Sequence, residues 1–179
     1  MGEWVIYGGG GHARVIADAI KLNAGHVINF FDDNKSLDQL AGKPVIAYHE
    51  NQSPDAKIII AIGNNEIRRD IVNYIVHDFG YIVHPEATVA DDVLIGEGSV
   101  ILAGAVVQSG AVIGRHVIIN SNVTVDHDAV IHDFCSVYPN SYIGGGAEIG
   151  AGAVIEACFA VPRQAKVPAV FNTTGIELF

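Results

Sequence analysis

The fold is decided by a stretch that runs from residue 95 to residue 125 and reads IGEGSVILAGAVVQSGAVIGRHVIINSNVTV. Every sixth residue in it is Ile or Val, and the same register continues in both directions. Stepping by six gives fifteen β-branched aliphatic residues: Val83, Val89, Ile95, Ile101, Val107, Ile113, Ile119, Val125, Ile131, Val137, Ile143, Ile149, Ile155, Val161 and Val167. A period held over so long a segment indicates a repeat architecture and not an ordinary sandwich.

Many repeats also have a small residue four places after the aliphatic one, as at Ala105, Ala111 and Ala129. A hexad of this kind predicts a short strand followed by a corner, and three hexads close one triangular coil. Residues 83–168 therefore predict nearly five coils of a parallel β-helix. Because a solenoid needs caps, we expect preceding residues to cover its N-terminal end. We expect the tail to cover the other end through Phe171, Ile176, Leu178 and Phe179.

Residues 1–80 follow a different pattern, in which apolar runs alternate with helical segments. One helix is predicted from the glycine run to about residue 23, and a second over Glu66–Phe79. The alternation predicts a parallel sheet with right-handed crossovers. This size is about half of a doubly wound domain and suits a mononucleotide better than a dinucleotide. The predicted strands are Trp4–Tyr7, Val27–Phe31, Pro44–Ala47 and Lys57–Ile62.

Composition and charge exclude several classes of function. Ten Lys and Arg against 20 Asp and Glu give a formal net charge of −10, so nucleic acid and anionic membranes are poor partners. The N-terminus has no basic leader region, and the run Ile58–Ile62 is too short to span a bilayer. Cys135 and Cys158 cannot make a disulfide framework, and we interpret them as small buried fillers. We expect a soluble, cytoplasmic protein.

A glycine-rich loop follows the first predicted strand. Gly8, Gly10 and Ala13 fit the strand–loop–helix fingerprint in which loop amides and a helix N-terminus hold phosphate oxygens. The same residues would also suit a tight structural turn. Asp32 follows this loop near the spacing at which an acid that binds a ribose would lie. With Asp33 it would equally suit a solvated turn.

Four stretches together resemble the sugar O- and N-acetyltransferases of the sialic acid O-acetyltransferase type. They read YGGGGH at 7–12, FDD at 31–33, AIGNNEIR at 61–68 and NSxxxxDHD at 120–128. The resemblance implies a small Rossmann-like domain over residues 1–80 that binds a nucleotide sugar. It also implies a left-handed parallel β-helix over residues 81–168 and a capping tail over residues 169–179. The expected assembly is a homotrimer with active sites between subunits, with acetyl-CoA as cosubstrate and no metal.

The implied reaction is acetyl transfer to an amino group, or a hydroxyl, of a nucleotide-linked sugar. A UDP-4-amino-4,6-dideoxy sugar of bacterial surface glycan synthesis is the expected acceptor. His127 is the candidate general base, because an attacking amine must lose a proton and imidazole titrates near neutral pH. We expect Asp128, in preference to Asp126, to orient the ring. One coil further on, Gly145 should lie above His127 and offer its N–H to the thioester oxyanion.

The resemblance also assigns binding residues. The expected nucleotide-sugar site consists of Gly8, Gly10, Gly11, His12, Asp32, Asp33, Gly63, Asn64 and Asn65. On the acetyl-CoA side, Asn120 and Ser136 join Gly145. Ser136 stands where many relatives have a second histidine, and relatives run one or two coils further. His84, His116 and His132 have no zinc-ligand spacing and are interpreted as surface or interface groups.

Two other functions remain open at the level of sequence. A non-catalytic β-helix that binds a sugar nucleotide or a protein partner is favoured by the shortened end and by Ser136. An NAD-binding protein is disfavoured by the half-size first domain.

Overall fold

The computed structural model describes residues 2–171 and begins with a small α/β region. Its sheet has the strand order β3-β4-β2-β1-β5 and is parallel except for the β3–β4 pair. Because β1, β2 and β5 run in parallel, the loops that follow them meet at one edge. The elements are β1 (Glu3–Tyr7), α1 (Gly11–Leu22), β2 (His26–Phe31), β3 (Gln39–Leu40), β4 (Lys43–Ile46), β5 (Lys57–Ile60) and α2 (Asn65–Val72).

Helix α2 is shorter than the prediction of Glu66–Phe79, which was wrong at its C-terminal end. The chain beyond Val72 is drawn out of the helix by partners elsewhere in the α/β region. The Val76 N–H donates to the Tyr48 hydroxyl, and Phe79 forms a parallel bridge with Ile58 of β5. Tertiary hydrogen bonds therefore replace the last turns of a helix that the periodicity alone favours.

A parallel β-helix of five coils follows, as the six-residue period predicts, and it is left-handed, as the resemblance implies. Each coil contributes one two-residue strand to each of three flat faces. The first face consists of β6 (Ile82–Val83), β9 (Val100–Ile101), β12 (Ile118–Ile119), β15 (Ser136–Val137) and β18 (Val154–Ile155). The second face consists of β7 (Thr88–Val89), β10 (Val106–Val107), β13 (Thr124–Val125), β16 (Tyr142–Ile143) and β19 (Ala160–Val161). The third face consists of β8 (Leu94–Ile95), β11 (Val112–Ile113), β14 (Val130–Ile131), β17 (Glu148–Ile149) and β20 (Lys166–Val167).

The α/β region lies along the first face. Ile82, Val100 and Ile118 point outward from the β-helix and pack in one core with Ile16 and Ile20 of α1. The inward positions form a separate core that fills the β-helix. Helix α1 thus packs between its own sheet and the first face, which fixes the position of the loop that precedes it.

The N-terminal end of the β-helix differs from the sequence-based expectation, whereas the C-terminal end agrees with it at Phe171. The preceding residues do not close the N-terminal end, because they pack on a side face, and Val83, Val89 and Ile95 are only partly buried. At the other end Phe171 is 8% exposed and covers Gly152. The other proposed capping residues, Ile176, Leu178 and Phe179, lie outside the described residues.

Two of the three columns of turns contain the residues that bear on function. The His127 corner consists of the turns between the second and third faces and includes residues 126–129 and 144–147. The junction corner consists of the turns between the third and first faces and includes residues 114–117, 132–135 and 150–153. Each of these five turns has one residue in the left-handed conformation, for example Asp128 (φ 57°) and His116 (φ 54°).

Candidate functional site

The His127 corner presents a histidine held by a carboxylate. Val125 points into the β-helix, so the following turn projects His127 outward. The Nδ1 atom of His127 lies 2.8 Å from Oδ2 of Asp128, and the two side chains are 45% and 72% exposed. This contact leaves Nε2 free to accept a proton. The arrangement is that of a general base with an orienting acid.

The two acids beside His127 have different partners, which separates their roles. Asp126 accepts the backbone N–H of His127 at 2.8 Å and the hydroxyl of Tyr142 at 2.8 Å. These hydrogen bonds hold the pKa of Asp126 below its usual value. Asp126 therefore supports the turn, whereas Asp128 contacts the imidazole ring. Tyr142 was not foreseen from the sequence, although its position one coil above Thr124 follows from the repeat.

Gly145 lies against the free side of the imidazole. A Cβ built on Gly145 would be 2.8 Å from Nε2 of His127, so glycine keeps this space open. The neighbouring Gly146 donates its N–H to the His127 carbonyl at 3.0 Å, which joins the two coils. The N–H of Gly145 donates no hydrogen bond to another of residues 2–171. The corner thus presents a histidine nitrogen and an uncommitted amide in adjacent coils.

The glycine loop lies at the sheet edge where β1, β2 and β5 end. Gly8 has φ 125°, and a Cβ there would approach the Ala61 carbonyl to 3.0 Å, so a side chain at this position would be strained. Around Gly10 and Gly63 a Cβ would meet nothing within 4 Å. Gly11 begins α1 directly after this loop. The backbone at this edge is therefore open to a ligand at two of the predicted glycines, one in the glycine loop and one in the loop after β5.

The two acids after β2 are largely occupied within the protein. Asp32 accepts the Gly9 N–H with Oδ2 and the Asn34 N–H with Oδ1, so it ties the glycine loop to the following turn. Asp33 accepts the Tyr7 hydroxyl at 2.9 Å. The structure thus gives Asp32 a loop-supporting role, and its contact with a nucleotide stays a prediction.

His12, in the first turn of α1, is mostly buried beside this loop. Its Nε2 atom is buried without a hydrogen-bond partner among residues 2–171. Burial first, and the Arg68 charge second, lower the pKa of His12 to about 4. A neutral ring with an unmatched nitrogen next to an open glycine loop is suited to a polar group of a ligand.

Asn64 and Asn65, the predicted residues at the start of α2, point in different directions. The Asn64 side chain caps the helix by accepting the Ile67 N–H at 3.0 Å. Asn65 instead turns into the β-helix, where Nδ2 donates to the carbonyl of Gly152 and Oδ1 accepts the Ser136 hydroxyl at 2.7 Å. Asn65 and Ser136 therefore meet each other in a buried junction. The structure does not bring Ser136 to the His127 corner.

The remaining candidates are distributed elsewhere. Asn120 follows the first face, and its Nδ2 donates to the Val137 carbonyl at 3.0 Å. His132 pairs with Glu148. His116 is buried, so it is not a surface group, and its ring packs against Phe79 where the α/β region meets the β-helix. Cys135 is buried as expected, but Cys158 is exposed. Within residues 2–171 no group of three or more His, Cys, Asp or Glu side chains is arranged to hold a metal ion. No helix of that range is long and apolar enough to cross a membrane.

Two family models match the two parts of the chain. The model described as the PglD N-terminal domain matches residues 3–75. The model described as bacterial transferase hexapeptide (six repeats) matches residues 92–127 and 128–158. The curated UDP-N-acetylbacillosamine N-acetyltransferase of Bacillus subtilis is 34% identical over an alignment of 112 residues, and the match covers 57% of this chain and 52% of that protein. The match spans about half the length of this curated relative.

Solved structures match nearly the whole chain. The acetyltransferase domain of PglB from Neisseria gonorrhoeae, in complex with acetyl coenzyme A, is 30% identical with a TM-score of 0.70. That match covers 93% of this chain and 92% of the other. A histidine-to-asparagine variant of perosamine N-acetyltransferase from Caulobacter crescentus, in complex with CoA and GDP-perosamine, is 26% identical with a TM-score of 0.79. That match covers 95% of this chain and 92% of the other.

Proposed function

The chain belongs to the hexapeptide-repeat acetyltransferases that include the acetyltransferase domain of PglB, and from this membership we propose that it acetylates the amino group of a nucleotide-linked sugar with acetyl-CoA. The observation that carries the proposal is the His127–Asp128 hydrogen bond with Nε2 directed toward Gly145. The comparison proteins, named for UDP-N-acetylbacillosamine and perosamine, support an amine as acceptor. A UDP-4-amino-4,6-dideoxy sugar is the acceptor that we would test first.

The proposed step uses His127 as a proton carrier. The sugar amine forms a bond to the acetyl carbonyl carbon, and the carbon–sulfur bond of the thioester breaks. Nε2 of His127 takes the amine proton and returns one to the departing CoA thiolate. Asp128 holds the ring and stabilises its protonated form. The Gly145 N–H is assigned to the oxygen on which negative charge develops.

We assign residues 1–80 to the nucleotide sugar and residues 81–168 to catalysis. The open backbone at Gly10 and Gly63, the start of α1 at Gly11 and the unmatched nitrogen of His12 support a phosphate and sugar site at this sheet edge. Asp33 and Asn64 lie in turns that border this phosphate and sugar site. Asn65 is better assigned to the interdomain junction, because its side chain is fully engaged there.

We propose a homotrimer in which a neighbouring subunit completes each active site. Every hydrogen bond from residues 2–80 to the β-helix goes to the first coil, the first face or the junction corner, and none reaches residues 126–128. The third face also carries an apolar row, with Leu94 55% exposed and with Val112 and Val130 partly exposed. Burial of this row between subunits would stabilise the assembly.

The test of function is an acetyl-transfer assay with purified full-length protein. CoA release is followed with acetyl-CoA and either UDP- or GDP-linked 4-amino-4,6-dideoxy sugars, with the 4-hydroxy analogues as controls. We expect turnover on a 4-amino substrate and little on its hydroxyl counterpart. Binding of the sugar nucleotide without any CoA release would instead favour a non-catalytic binding protein. We place the reaction in the cytoplasm, where acetyl-CoA and nucleotide sugars are made.

A further inference from the structure

Arg68, in α2, is the most deeply buried cation of the described chain. It is 0% exposed and connects the α/β region to the β-helix. Its Nε donates to the His116 carbonyl at 3.0 Å, and one terminal nitrogen donates to the Phe134 carbonyl at 2.9 Å. Asn65 continues the series at the Gly152 carbonyl at 3.0 Å. These three carbonyls occupy equivalent positions one coil apart, so α2 is matched to three successive coils.

The other terminal nitrogen of Arg68 points to the ligand-facing edge of the sheet. It donates to the Ile62 carbonyl at 2.7 Å and to the Gly63 carbonyl at 3.4 Å. This loop borders the glycine loop, because the Ala61 N–H donates to the Tyr7 carbonyl and Gly8 packs on the Ala61 carbonyl. Arg68 thus lies directly behind the backbone that we assign to the nucleotide sugar.

The positive charge of Arg68 has no acidic partner in the described part of the chain. Within residues 2–171 no carboxylate lies within 4.0 Å of its guanidinium, and its partners are backbone carbonyls, the Asn65 amide and the Ser136 hydroxyl. Burial lowers the pKa of Arg68 to about 10, so the group stays charged at neutral pH. Burial raises the pKa of the nearby Cys135 thiol to about 12, so the thiol does not neutralise it. A buried charge without a counter-charge is unfavourable.

We propose that Arg68 is a positioning residue of the nucleotide site whose unneutralised charge favours a diphosphate over an uncharged nucleoside. This inference rests on the proposed function and names the chemical group that the site prefers. The ligand diphosphate supplies the counter-charge that the protein lacks, through the 62–63 loop and without replacing any of the hydrogen bonds of Arg68. Burial first, and the charge of Arg68 second, shift the neighbouring His12 toward its neutral form.

Ser136 allows the charge to be neutralised without removing Arg68. Its Oγ lies 3.4 Å from a terminal nitrogen of Arg68. Ser136→Asp would place a carboxylate there. Ser136→Asn is the matched control, because asparagine has the size of aspartate and no charge. At pH 7.5 we expect Ser136→Asp to bind UDP or GDP about tenfold more weakly than Ser136→Asn. Uridine and guanosine affinities should differ less than twofold between the two variants.

The measurement is titration calorimetry for the nucleotides and ligand-observed NMR for the weakly bound nucleosides. Thermal unfolding of both variants confirms that each is folded. If either does not fold, Arg68→Lys and Arg68→Met make a second pair that differs in charge, and Arg68→Met should show the weaker UDP or GDP binding. Equal diphosphate affinity within either folded pair overturns the inference. So does an equal loss of nucleotide and nucleoside affinity, which would indicate a structural effect only.

The assay of acetyl transfer separates this inference from the proposed function. Turnover by the wild type together with equal diphosphate affinity in the Ser136 pair would overturn the role of Arg68 and leave the function standing. A tenfold difference in diphosphate affinity between the Ser136 variants of a protein that transfers no acetyl group would overturn the proposed function and leave the role of Arg68 standing. A wild type that binds neither UDP nor GDP would overturn both.

Discussion

The His127 corner and the junction corner are built on the same turn and differ in what covers them. Asp128 and His116 occupy equivalent positions with φ values of 57° and 54°. The His127 corner faces solvent, so its imidazole is accessible to a substrate. At the junction corner His116 is 2% exposed and stacks on Phe134 at 5.1 Å with the rings 8° apart. The repeat sets the direction in which a side chain points. Whether that side chain is exposed enough to react depends on whether the α/β region packs over the corner.

The largest effect is expected from removing the exposed histidine. His127→Ala should lower kcat by roughly 10²–10⁴, the usual contribution of a general base. Affinities for acetyl-CoA and the sugar nucleotide should stay within a few-fold, because the ring acts mainly in the transition state. Steady-state kinetics over pH 6–9 measure this, and the rising limb of kcat/KM should disappear in the variant.

His84→Ala is the matched control for this experiment. His84 lies in the first coil of the β-helix, where its ring accepts the Glu86 N–H, and its loss should leave kcat unchanged. Full activity of the His127→Ala protein on a 4-amino sugar nucleotide would show that another group is the base.

Two glycines that each face a histidine test the comparison directly. A Cβ at Gly145 would meet the exposed His127 ring, and a Cβ at Gly98 would meet the buried His116 ring. Gly145→Ala should displace a ring that can move and lower kcat/KM by up to about a hundredfold, with little change in stability. Gly98→Ala should destabilise by about 1–3 kcal/mol, because its ring is enclosed and its φ is 72°.

Activity assays and urea unfolding of both glycine variants would measure this contrast. If Gly145→Ala mainly lowered stability, the His127 corner would be as rigid as the junction corner, and the distinction between the two would fail.

Because of His116, the stability of the folded protein should fall as the pH becomes acidic. Burial first, and then the charges of Arg68 and Arg115, lower its pKa to about 3 from 6.5. Between these values the unfolded chain binds a proton that the folded chain does not, so stability present above pH 6.5 is lost as pH falls. At pH 5 this single group accounts for about 2 kcal/mol.

We therefore expect His116→Phe to lose about 2 kcal/mol less stability than the wild type between pH 7 and pH 5. Phenylalanine is a suitable replacement because Phe134 already occupies the equivalent left-handed position at φ 60°. Urea unfolding at the two pH values measures the difference. Between pH 7 and pH 9 the two proteins should change alike, and a persistent difference there would assign the effect to packing.

The smallest expected effect concerns the glycine loop. Its backbone is exposed at Gly10, in contrast to the buried residues of the junction corner. Gly10→Val should weaken UDP or GDP binding by about tenfold, because its side chain would occupy the approach to the phosphates. The melting temperature should hardly change, since a Cβ there meets nothing within 4 Å and φ is −92°. CoA affinity, measured in parallel, should be unaffected. Loss of both ligands together would indicate unfolding instead.

The parts of the site that sequence predicted are those governed by the local repeat. The three-hexad coil places Gly145 against His127, and the hexad phase turns His127 outward, because both follow from strands stacked in register. The Asn65–Ser136 contact could not be predicted in this way. It joins residues 71 positions apart through the packing of α2 on the junction corner. The resemblance had assigned Asn65 to the nucleotide sugar and Ser136 to acetyl-CoA, and neither assignment could anticipate that packing.

The sequence by itself determined the β-helix, its phase and the α/β character of the region that precedes it. These depend on the six-residue period and on the alternation of apolar runs with helical segments along the chain. Only the tertiary structure decided which corner is covered, where α2 ends and that the N-terminal end of the β-helix stays open. It also decided that Arg68 is buried with no carboxylate of residues 2–171 within 4.0 Å. The end of α2 depends on packing within the α/β region. The other features depend on how that region docks on one of three faces that the repeat builds almost alike.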